Sequence, residues 1–179
     1  LKIIKSKLIG QDNKGYVKVN HYECLLANGI TMGRDKIVKG NSNASAVVVL
    51  PVTKDNEFLL VVQPRPVKEG FCVEFPAGYI EKDEDGLIAA KRELVEETGY
   101  VSDNIKYLDS YYQDQGCSDA YNSSYLALDC EKVKEQELDK DEFVKYFLCN
   151  YSEVLELINM GYIKDIQSKY TLELSKKYI

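Results

Sequence analysis

Three carboxylates stand close together in one helix-prone stretch of the sequence. Glu93, Glu96 and Glu97 occupy positions i, i+3 and i+4, so on an α-helix Glu93 lies beside both of the others. Like charges at this spacing destabilise an isolated helix by roughly 0.2–0.5 kcal/mol per pair, a cost that a bound cation reverses. Such oxygen ligands suit Mg²⁺ or Mn²⁺ rather than zinc. The same spacing is also typical of a solvated acidic helix face, so the surrounding residues must decide between the two interpretations.

The residues around these carboxylates favour a functional site. Gly78 is followed after five residues by Glu84, and Glu84 is followed after seven residues by Arg92-Glu93-Leu94-Val95-Glu96-Glu97-Thr98-Gly99-Tyr100. Seven fixed polar or glycine positions, each with a residue frequency of about 7%, coincide by chance on the order of 10⁻⁸ per starting position. The arrangement resembles the Nudix box, the signature of the Nudix hydrolase superfamily, at every fixed position.

This resemblance implies both a fold and a reaction. The implied fold class is α/β, a Nudix α/β/α sandwich with a mixed sheet, in which the box forms a loop, a helix and a second loop. In the family, the residues that match Glu93, Glu96 and Glu97 hold the metals, and the residue that matches Arg92 orients a box carboxylate. Metal cations neutralise charge on phosphoryl oxygens and lower the pKa of an attacking water. The implied activity is hydrolysis of a phosphoanhydride with Mg²⁺ or Mn²⁺ as cofactor.

Residues outside the box carry the information on substrate. Glu74-Phe75-Pro76-Ala77-Gly78 and Gln63-Pro64-Arg65 resemble the branch of the superfamily that hydrolyses ADP-ribose and other nucleoside diphosphate sugars. In that branch the backbone carbonyl that matches Ala77 is a metal ligand, and the residues that match Arg65 and Glu74 contact substrate or order the site. The resemblance therefore implies a nucleoside diphosphate sugar as the substrate.

One loop departs from the pattern of that branch. In Asp114-Gln115-Gly116-Cys117-Ser118-Asp119-Ala120, the branch usually has proline where Gln115 stands and often a catalytic glutamate where Ala120 stands. Gly116 remains a candidate for substrate binding. Because that glutamate is missing, the identity of the general base stays open, and a base must lie within about 3 Å of the water that it activates. The candidate carboxylates are Asp119, Glu97 and Glu142.

The first 40 residues predict a small antiparallel strand unit. The turn formers Asp12-Asn13-Lys14-Gly15 and Asn28-Gly29 accompany two β-prone runs, Tyr16 to Leu26 and Ile30 to Val38. The branch described above commonly dimerises by exchanging a segment of this kind, so the resemblance implies a homodimer. A hairpin that merely covers the edge of a sheet is the alternative.

The sequence divides into two predicted domains. Residues 1–40 form the N-terminal β-hairpin subdomain, residues 44–179 form the Nudix domain, and Gly40-Asn41-Ser42-Asn43 is a linker. Hydrophobic periodicity predicts one long helix, Asp85 to Thr98, that ends at Gly99. We predict five further strands, at Ser45 to Val52, Phe58 to Gln63, Tyr107 to Tyr112, Tyr121 to Leu128 and Phe143 to Leu148. Two closing helices are predicted, one at Ser152 to Met160 with Ser152 as its cap and one from about Lys164 onward. The charged stretch from Glu131 to Asp141 is expected to be a solvated loop or a short helix.

The composition narrows the class of protein. The chain has 179 residues and a net charge of −6, which disfavours binding to nucleic acid and to anionic lipid. Five scattered cysteines without a C-x-x-C pair indicate neither a zinc site nor a disulfide framework, and a single histidine, His21, argues against His-based catalytic triads. No apolar run reaches the roughly 20 residues of a membrane helix, and the N-terminal residues of this sequence lack a charged-then-apolar signal pattern. We therefore expect a cytoplasmic protein without a membrane partner.

Two alternatives to a pyrophosphatase for ADP-ribose or a related sugar nucleotide remain. The first is a Nudix hydrolase for another nucleoside diphosphate derivative, because the box alone reports the reaction and not the substrate. The second is a ligand sensor with the same fold and no turnover. Retention of all box carboxylates argues against a sensor, whereas Ala120 at the position of the usual loop glutamate argues weakly for it.

Overall fold

The structure is a computed structural model that describes residues 2–39, 45–65, 70–140 and 142–179. The predicted linker, Gly40-Asn41-Ser42-Asn43, lies outside the described residues. The strands and helices, numbered in chain order, are β1 (Ile3–Lys14), β2 (Val17–Leu26), β3 (Thr31–Lys39), β4 (Ala46–Thr53), β5 (Phe58–Pro64), β6 (Phe71–Glu74), β7 (Ala77–Tyr79), α1 (Gly86–Thr98), β8 (Tyr100–Val101), β9 (Asn104–Tyr112), β10 (Tyr121–Lys132), β11 (Lys145–Cys149), α2 (Tyr151–Asn159) and α3 (Ile166–Ser175).

The chain folds into two compact units. The first contains Leu1–Ser45 and Tyr111–Asn122, and the second contains Ala46–Ser110 and Ser123–Ile179. The candidate loop between β9 and β10 therefore belongs to the same unit as the N-terminal strands. The predicted division at residues 40 to 44 places this loop in the other domain, and that division stays a prediction.

The first unit is built on a three-stranded antiparallel sheet in the order β1-β2-β3. β2 and β3 confirm the two predicted runs to within a residue or two, whereas β1 was not predicted. The loop before β10 attaches to β3, because the backbone N–H of Ile37 donates to the carbonyl of Cys117 at 2.7 Å. A parallel bridge joins Ile37 and Ser118 at the same place. This sheet therefore supports one side of the candidate loop.

The second unit contains a mixed eight-stranded sheet. Its strands follow the order β11-β5-β4-β10-β8, and three further strands attach to it: β6 to β5, β7 to β4 and β9 to β10. The five strands predicted for this region are all present, although β10 continues four residues beyond the predicted end at Leu128. The short strands β6, β7 and β8 were not predicted. They surround α1 in sequence, and β6 and β7 carry the site candidates Glu74 and Ala77.

The sheet lies between two helical layers. Leu50 of β4 packs with Val154 of α2 and Leu172 of α3 in one buried cluster. Its neighbour Val49 packs with Leu94 of α1 in a second buried cluster. Because successive side chains of a strand point to opposite faces, α2 and α3 cover one face of the sheet and α1 covers the other. The predicted α/β/α sandwich is confirmed.

The ends of the helices follow local capping rules. The side chain of Asp85 caps α1 by accepting a hydrogen bond from the N–H of Leu87, and Gly99 ends α1 in the left-handed conformation with φ 76°. The predicted cap of α2 was wrong: Asn150 caps the helix and forms a reciprocal capping box with Glu153. Ser152 instead donates its hydroxyl hydrogen to the Asn150 side chain at 2.5 Å.

The charged stretch begins in β10, and its described residues after Lys132 form a loop and no helix. It is only partly solvated, because the side-chain amide of Gln136 donates to the carbonyls of Glu97 and Val144. The N–H of Glu137 donates to the carbonyl of Glu96 at 2.9 Å. The loop thus binds carbonyls that the last turn of α1 leaves without helical partners. In the described part of the chain, no helix has the length and apolarity needed to cross a membrane.

Candidate active site

Helix α1 presents its three carboxylates at very different depths. Glu97 and Glu93 are 3% and 8% exposed, whereas Glu96 is half-buried. Two carboxylates of one helix are thus withdrawn from water, which is unusual for a solvated acidic face and costs free energy unless partners compensate. The interpretation of this stretch as a merely solvated helix face is therefore wrong for Glu93 and Glu97.

The guanidinium group of Arg92 joins the carboxylates of the box. Its Nε and Nη2 donate to the two oxygens of Glu84 at 2.9 and 3.0 Å. Its Nη1 donates to Glu93 Oε1 at 2.7 Å and to Glu96 Oε2 at 2.9 Å. Nη2 also donates to the carbonyl oxygen of Tyr79 at 2.9 Å. The family resemblance assigned Arg92 one carboxylate partner, and the structure gives it three.

Gly78 makes room for the carboxylate of Glu93. A Cβ atom at position 78 would lie 2.0 Å from Oε1 and 2.1 Å from Cδ of Glu93. Gly78 lies inside β7 and pairs with Val47 of β4, so a turn is not what requires glycine at this position. Close approach of a side chain, and not backbone conformation, requires glycine here.

Glu97 points at the strand that precedes the box. Its Oε2 accepts a hydrogen bond from the backbone N–H of Ala77 at 3.0 Å. Burial raises the pKa of Glu97 to about 8, although the Ala77 N–H lowers it and the charges of Glu93 and Glu142 raise it further. Burial likewise raises the pKa of Glu93 to about 7, against the lowering effect of Arg92. Both pKa shifts arise mainly because the charged carboxylates are desolvated.

Arg65 and Glu74 form a bidentate ion pair. Arg65 Nε and Nη2 donate to the two oxygens of Glu74 at 3.1 and 2.7 Å. Glu74 is buried at the end of β6, whereas the side chain of Arg65 is 41% exposed. The two-point geometry fixes the plane of the guanidinium group. One of the two candidate substrate contacts thus orients the other.

The carboxylates of this region fit a hard divalent cation. Glu93, Glu96 and Glu97 offer only oxygen atoms, and Ala77 lies beside Glu97, a donor set that suits Mg²⁺ or Mn²⁺. A nearby cation would favour the charged forms that burial of Glu93 and Glu97 disfavours. Arg92 binds one oxygen each of Glu93 and Glu96, and no group of three His, Cys, Asp or Glu side chains in the described residues is already arranged to hold a metal ion.

The loop of the first unit holds the remaining predicted site residues. Asp119 Oδ2 accepts a hydrogen bond from Lys36 Nζ at 2.8 Å, which ties the loop to β3. The N–H of Gly116 donates to Asp114 Oδ1 at 3.1 Å within the loop. Ala120 is buried. The structure thus gathers the box residues, Arg65, Glu74 and Ala77 in the second unit, and it places Asp119 and Gly116 in the first.

Comparison with known proteins places this chain in a family. The family model of the NUDIX domain matches residues 42–168. The chain is 34% identical over 149 residues to the ADP-ribose pyrophosphatase of Bacillus subtilis (strain 168), which covers 83% of this chain and 78% of that protein. It is 35% identical over 165 residues to the methanol dehydrogenase activator of Bacillus methanolicus, and this alignment covers 92% of this chain and 86% of that protein.

A solved structure has the same fold. The crystal structure described as that of an ADP compounds hydrolase superposes with a TM-score of 0.82 at 18% identity, and the superposition covers 99% of this chain and 92% of the other. At this level of identity the likeness concerns the fold alone. The family model matches most of the length of the chain, and the box around Arg92 is complete. This chain therefore belongs to the Nudix family and is a Nudix pyrophosphohydrolase that resembles the ADP-ribose pyrophosphatases.

Proposed function

We propose that the protein hydrolyses the diphosphate linkage of ADP-ribose or a related nucleoside diphosphate sugar, with Mg²⁺ or Mn²⁺, to a nucleoside monophosphate and a sugar phosphate. The observation that carries the proposal is the pair of buried carboxylates on α1: Glu97 lies beside Ala77, and Glu93 fills the space that the missing side chain of Gly78 leaves, which we call the notch at Gly78. The relative named ADP-ribose pyrophosphatase supports the choice of substrate.

The metal would be held by Glu93, Glu96, Glu97 and the backbone carbonyl of Ala77. When bound, it supplies positive charge against the phosphate oxygens and lowers the pKa of water. The residues of the chain prepare the site for it: Arg92 holds Glu93 and Glu96 on one side, and the N–H of Ala77 holds Glu97 on the other. Because no three carboxylates of the described residues already surround one point, binding of the metal would complete the arrangement by drawing Glu93, Glu96 and Glu97 together.

Arg65 is suited to bind a phosphate group of the substrate. Its guanidinium group is fixed by Glu74 on one edge and is partly exposed. Guanidinium groups bind phosphate through two parallel hydrogen bonds, which makes an oriented arginine a specific phosphate ligand. Gly116, in the loop of the first unit, remains a candidate substrate contact through its family position.

We propose Glu142 as the general base in place of the missing loop glutamate. The negative charge of Glu142 raises the pKa of both Glu93 and Glu97, so Glu142 interacts electrostatically with the buried pair. Asp119, by contrast, is neutralised by Lys36. We expect Glu142→Gln to lower kcat by roughly 10²–10⁴-fold and Asp119→Asn to lower it far less. The reverse order in steady-state kinetics would make Asp119 the base and Glu142 a bystander.

Dimerisation and location are further parts of the proposal. β1 is an edge strand of the three-stranded sheet and carries exposed Ile3, Ile4, Leu8 and Ile9. An apolar edge of this kind is a pairing surface, which supports a homodimer formed through the first unit. The five cysteines are free thiols, which supports a reducing compartment such as the cytoplasm.

A second candidate function comes from the relative that covers 92% of the chain, the methanol dehydrogenase activator. In that case the chain raises the activity of a dehydrogenase. The two functions separate in one assay. An activator changes the rate of purified methanol dehydrogenase, whereas a pyrophosphatase that only supplies nucleotide metabolism leaves it unchanged.

The test of the primary proposal is product release from a panel of ADP-ribose, UDP-glucose, NADH and nucleoside triphosphates, each with Mg²⁺ and with a chelator. We expect chelator-sensitive release of AMP from ADP-ribose. Cleavage of another member alone would retain the chemistry and replace the substrate. No turnover of any member by folded protein would contradict the proposal and favour the sensor.

A further inference from the structure

In addition to its pairing with β5, β6 and the residue that follows it contact the C-terminal part of the chain. The N–H of Val73 donates to the carbonyl of Tyr162 at 3.5 Å, and the N–H of Phe75 donates to the hydroxyl of Ser168 at 3.0 Å. The rings of Phe71 and Tyr162 stack with centroids 6.0 Å apart. Alternate residues of β6 and its continuation thus contact the connector before α3 and the first turn of α3. These segments take the place of a neighbouring strand.

Ser168, which bears this hydroxyl group, is held at the start of α3. Asp165 caps α3, and its Oδ2 accepts a hydrogen bond from the N–H of Ser168 at 2.6 Å. Ser168 is 1% exposed, and Phe75 is equally buried. Because a buried backbone N–H needs a partner, the place of Phe75 is tied to the start of α3.

Phe75 lies between the two candidate site residues of this segment. Glu74 precedes it and holds Arg65, and Ala77 follows two residues later with its N–H bound to Glu97. The segment is therefore held at two points from the two helical layers: by Ser168 of α3 at Phe75, and by Glu97 of α1 at Ala77. Displacement of Phe75 would move the Glu74 carboxylate and the Ala77 carbonyl together.

We propose that Ser168, oriented by Asp165, is a positioning residue of the active site. By fixing the N–H of Phe75 it sets the positions of the Glu74 carboxylate and the Ala77 carbonyl, and it makes α3 part of the catalytic apparatus although α3 lies outside the box. The inference rests on the proposed function in that substrate contact at Glu74 and metal binding at Ala77 are part of that function.

Helix α3 provides a matched control. Ser175 lies on the same helix, is also fully buried, and donates its hydroxyl hydrogen to the carbonyl of Leu172 at 2.8 Å. Ser168→Ala and Ser175→Ala therefore remove the same group from the same helix, but Ser168 alone of the two is bonded to the segment that ends in Ala77. Ser168→Thr retains a hydroxyl group at position 168 and serves as the conservative variant.

The first readout needs neither metal nor substrate. Hydrogen exchange of the Ala77 amide reports whether the loss of the Ser168 hydroxyl is transmitted along the segment. We expect Ser168→Ala to speed this exchange about tenfold relative to the wild type and Ser175→Ala to leave it within about twofold, with Ser168→Thr close to the wild type. Equal exchange in the two alanine variants would overturn the proposal.

The second readout concerns the site itself. We expect Ser168→Ala to weaken Mn²⁺ binding, followed by electron paramagnetic resonance, and to raise the KM for ADP-ribose, each about tenfold. Ser175→Ala should change neither the Mn²⁺ affinity nor the KM. If the two variants unfold at the same temperature, a loss of stability cannot explain the difference between them. If wild-type protein does not cleave ADP-ribose, the proposed function fails, while Ala77 exchange and Mn²⁺ binding still decide the role of Ser168. Unchanged Mn²⁺ binding and KM in Ser168→Ala would contradict that role.

Discussion

At the scale of single residues, Arg92 reduces the repulsion between the negatively charged carboxylates of the box. Three carboxylates surround one guanidinium group, and a fourth, Glu97, is placed apart against a backbone N–H. A buried ion pair gains little net stability, because desolvation offsets the attraction between the charges. The network therefore adds little stability by itself, but it keeps Glu84, Glu93 and Glu96 close together around one cationic group.

The notch at Gly78 gives a direct test of this arrangement. Gly78→Ala places a Cβ atom 2.0 Å from Glu93 Oε1, so the carboxylate must move away from Arg92 or β7 must shift. We expect a loss of about 1–3 kcal/mol in the free energy of unfolding and at least about a tenfold loss in kcat/KM. Urea unfolding and initial rates measure the two effects.

Gly33→Ala is the control for this substitution. A Cβ atom at Gly33 meets nothing within 4 Å, and the backbone there is not left-handed. We expect this variant to remain within about 0.5 kcal/mol of the wild type with full activity. If Gly78→Ala behaved like Gly33→Ala, the close contact with Glu93 would have no functional importance.

At the scale of elements, α1 depends on the way it ends. Gly99 has φ 76°, and a Cβ atom there would lie 2.1 Å from the carbonyl oxygen of Lys134. Gly15 has nearly the same φ, 77°, but no atom within 4 Å of its Cβ position. The two glycines thus separate backbone strain from steric overlap.

We expect Gly15→Ala to cost about 1–2 kcal/mol through the left-handed conformation alone. Gly99→Ala should cost more, about 3 kcal/mol or above, because the loop at Lys134 must also move. Equilibrium urea unfolding of both variants compares these costs. Equal values would show that the loop after β10 yields freely and does not brace the end of α1.

Elements that follow local rules were predictable from the sequence. The 3.6-residue period, the Asp85 cap and the Gly99 stop lie within one stretch, so α1 was predicted to within one residue. Asn150 was missed although its signal is also local: Glu153 stands three residues later, as a capping box requires. The prediction chose Ser152, a residue type with a similar capping preference.

Short strands and long-range contacts were not predictable in the same way. β6 and β7 have four and three residues and exist because they pair with β5 and β4, which no local pattern reports. The contact of Gly78 with Glu93 and the bond from Phe75 to Ser168 join residues 15 and 93 positions apart. The resemblance to the Nudix box named the box residues but not the residues that support them.

At the scale of the whole molecule, the exposed apolar residues of β1 allow a test between a homodimer and a hairpin that covers a sheet edge. We expect a mass of about twice the 20.4 kDa of one chain in light scattering coupled to gel filtration. Ile4→Lys with Ile9→Lys should shift this mass toward the monomer, since charges on an edge strand oppose pairing.

Ile166→Lys is the matched control for the dimer, because Ile166 is as exposed as Ile4 and Ile9 but lies on α3. It should leave the mass unchanged. A monomer in the wild-type protein would contradict the dimer and favour the hairpin as a cover for a sheet edge.

The measurement that tests the central claim most directly is the initial rate of AMP release from ADP-ribose with Mg²⁺ by wild-type protein, Glu97→Gln and Glu156→Gln. Glu97 is buried beside Ala77, whereas Glu156 is exposed on α2. We predict a loss of at least about 10³-fold for Glu97→Gln and a rate within about twofold of the wild type for Glu156→Gln. Because burial disfavours the charged form of Glu97 and raises its pKa to about 8, Glu97→Gln should unfold in chelator no earlier than the wild type. A wild-type rate in a folded Glu97→Gln variant would remove the buried carboxylates from the reaction and contradict the account.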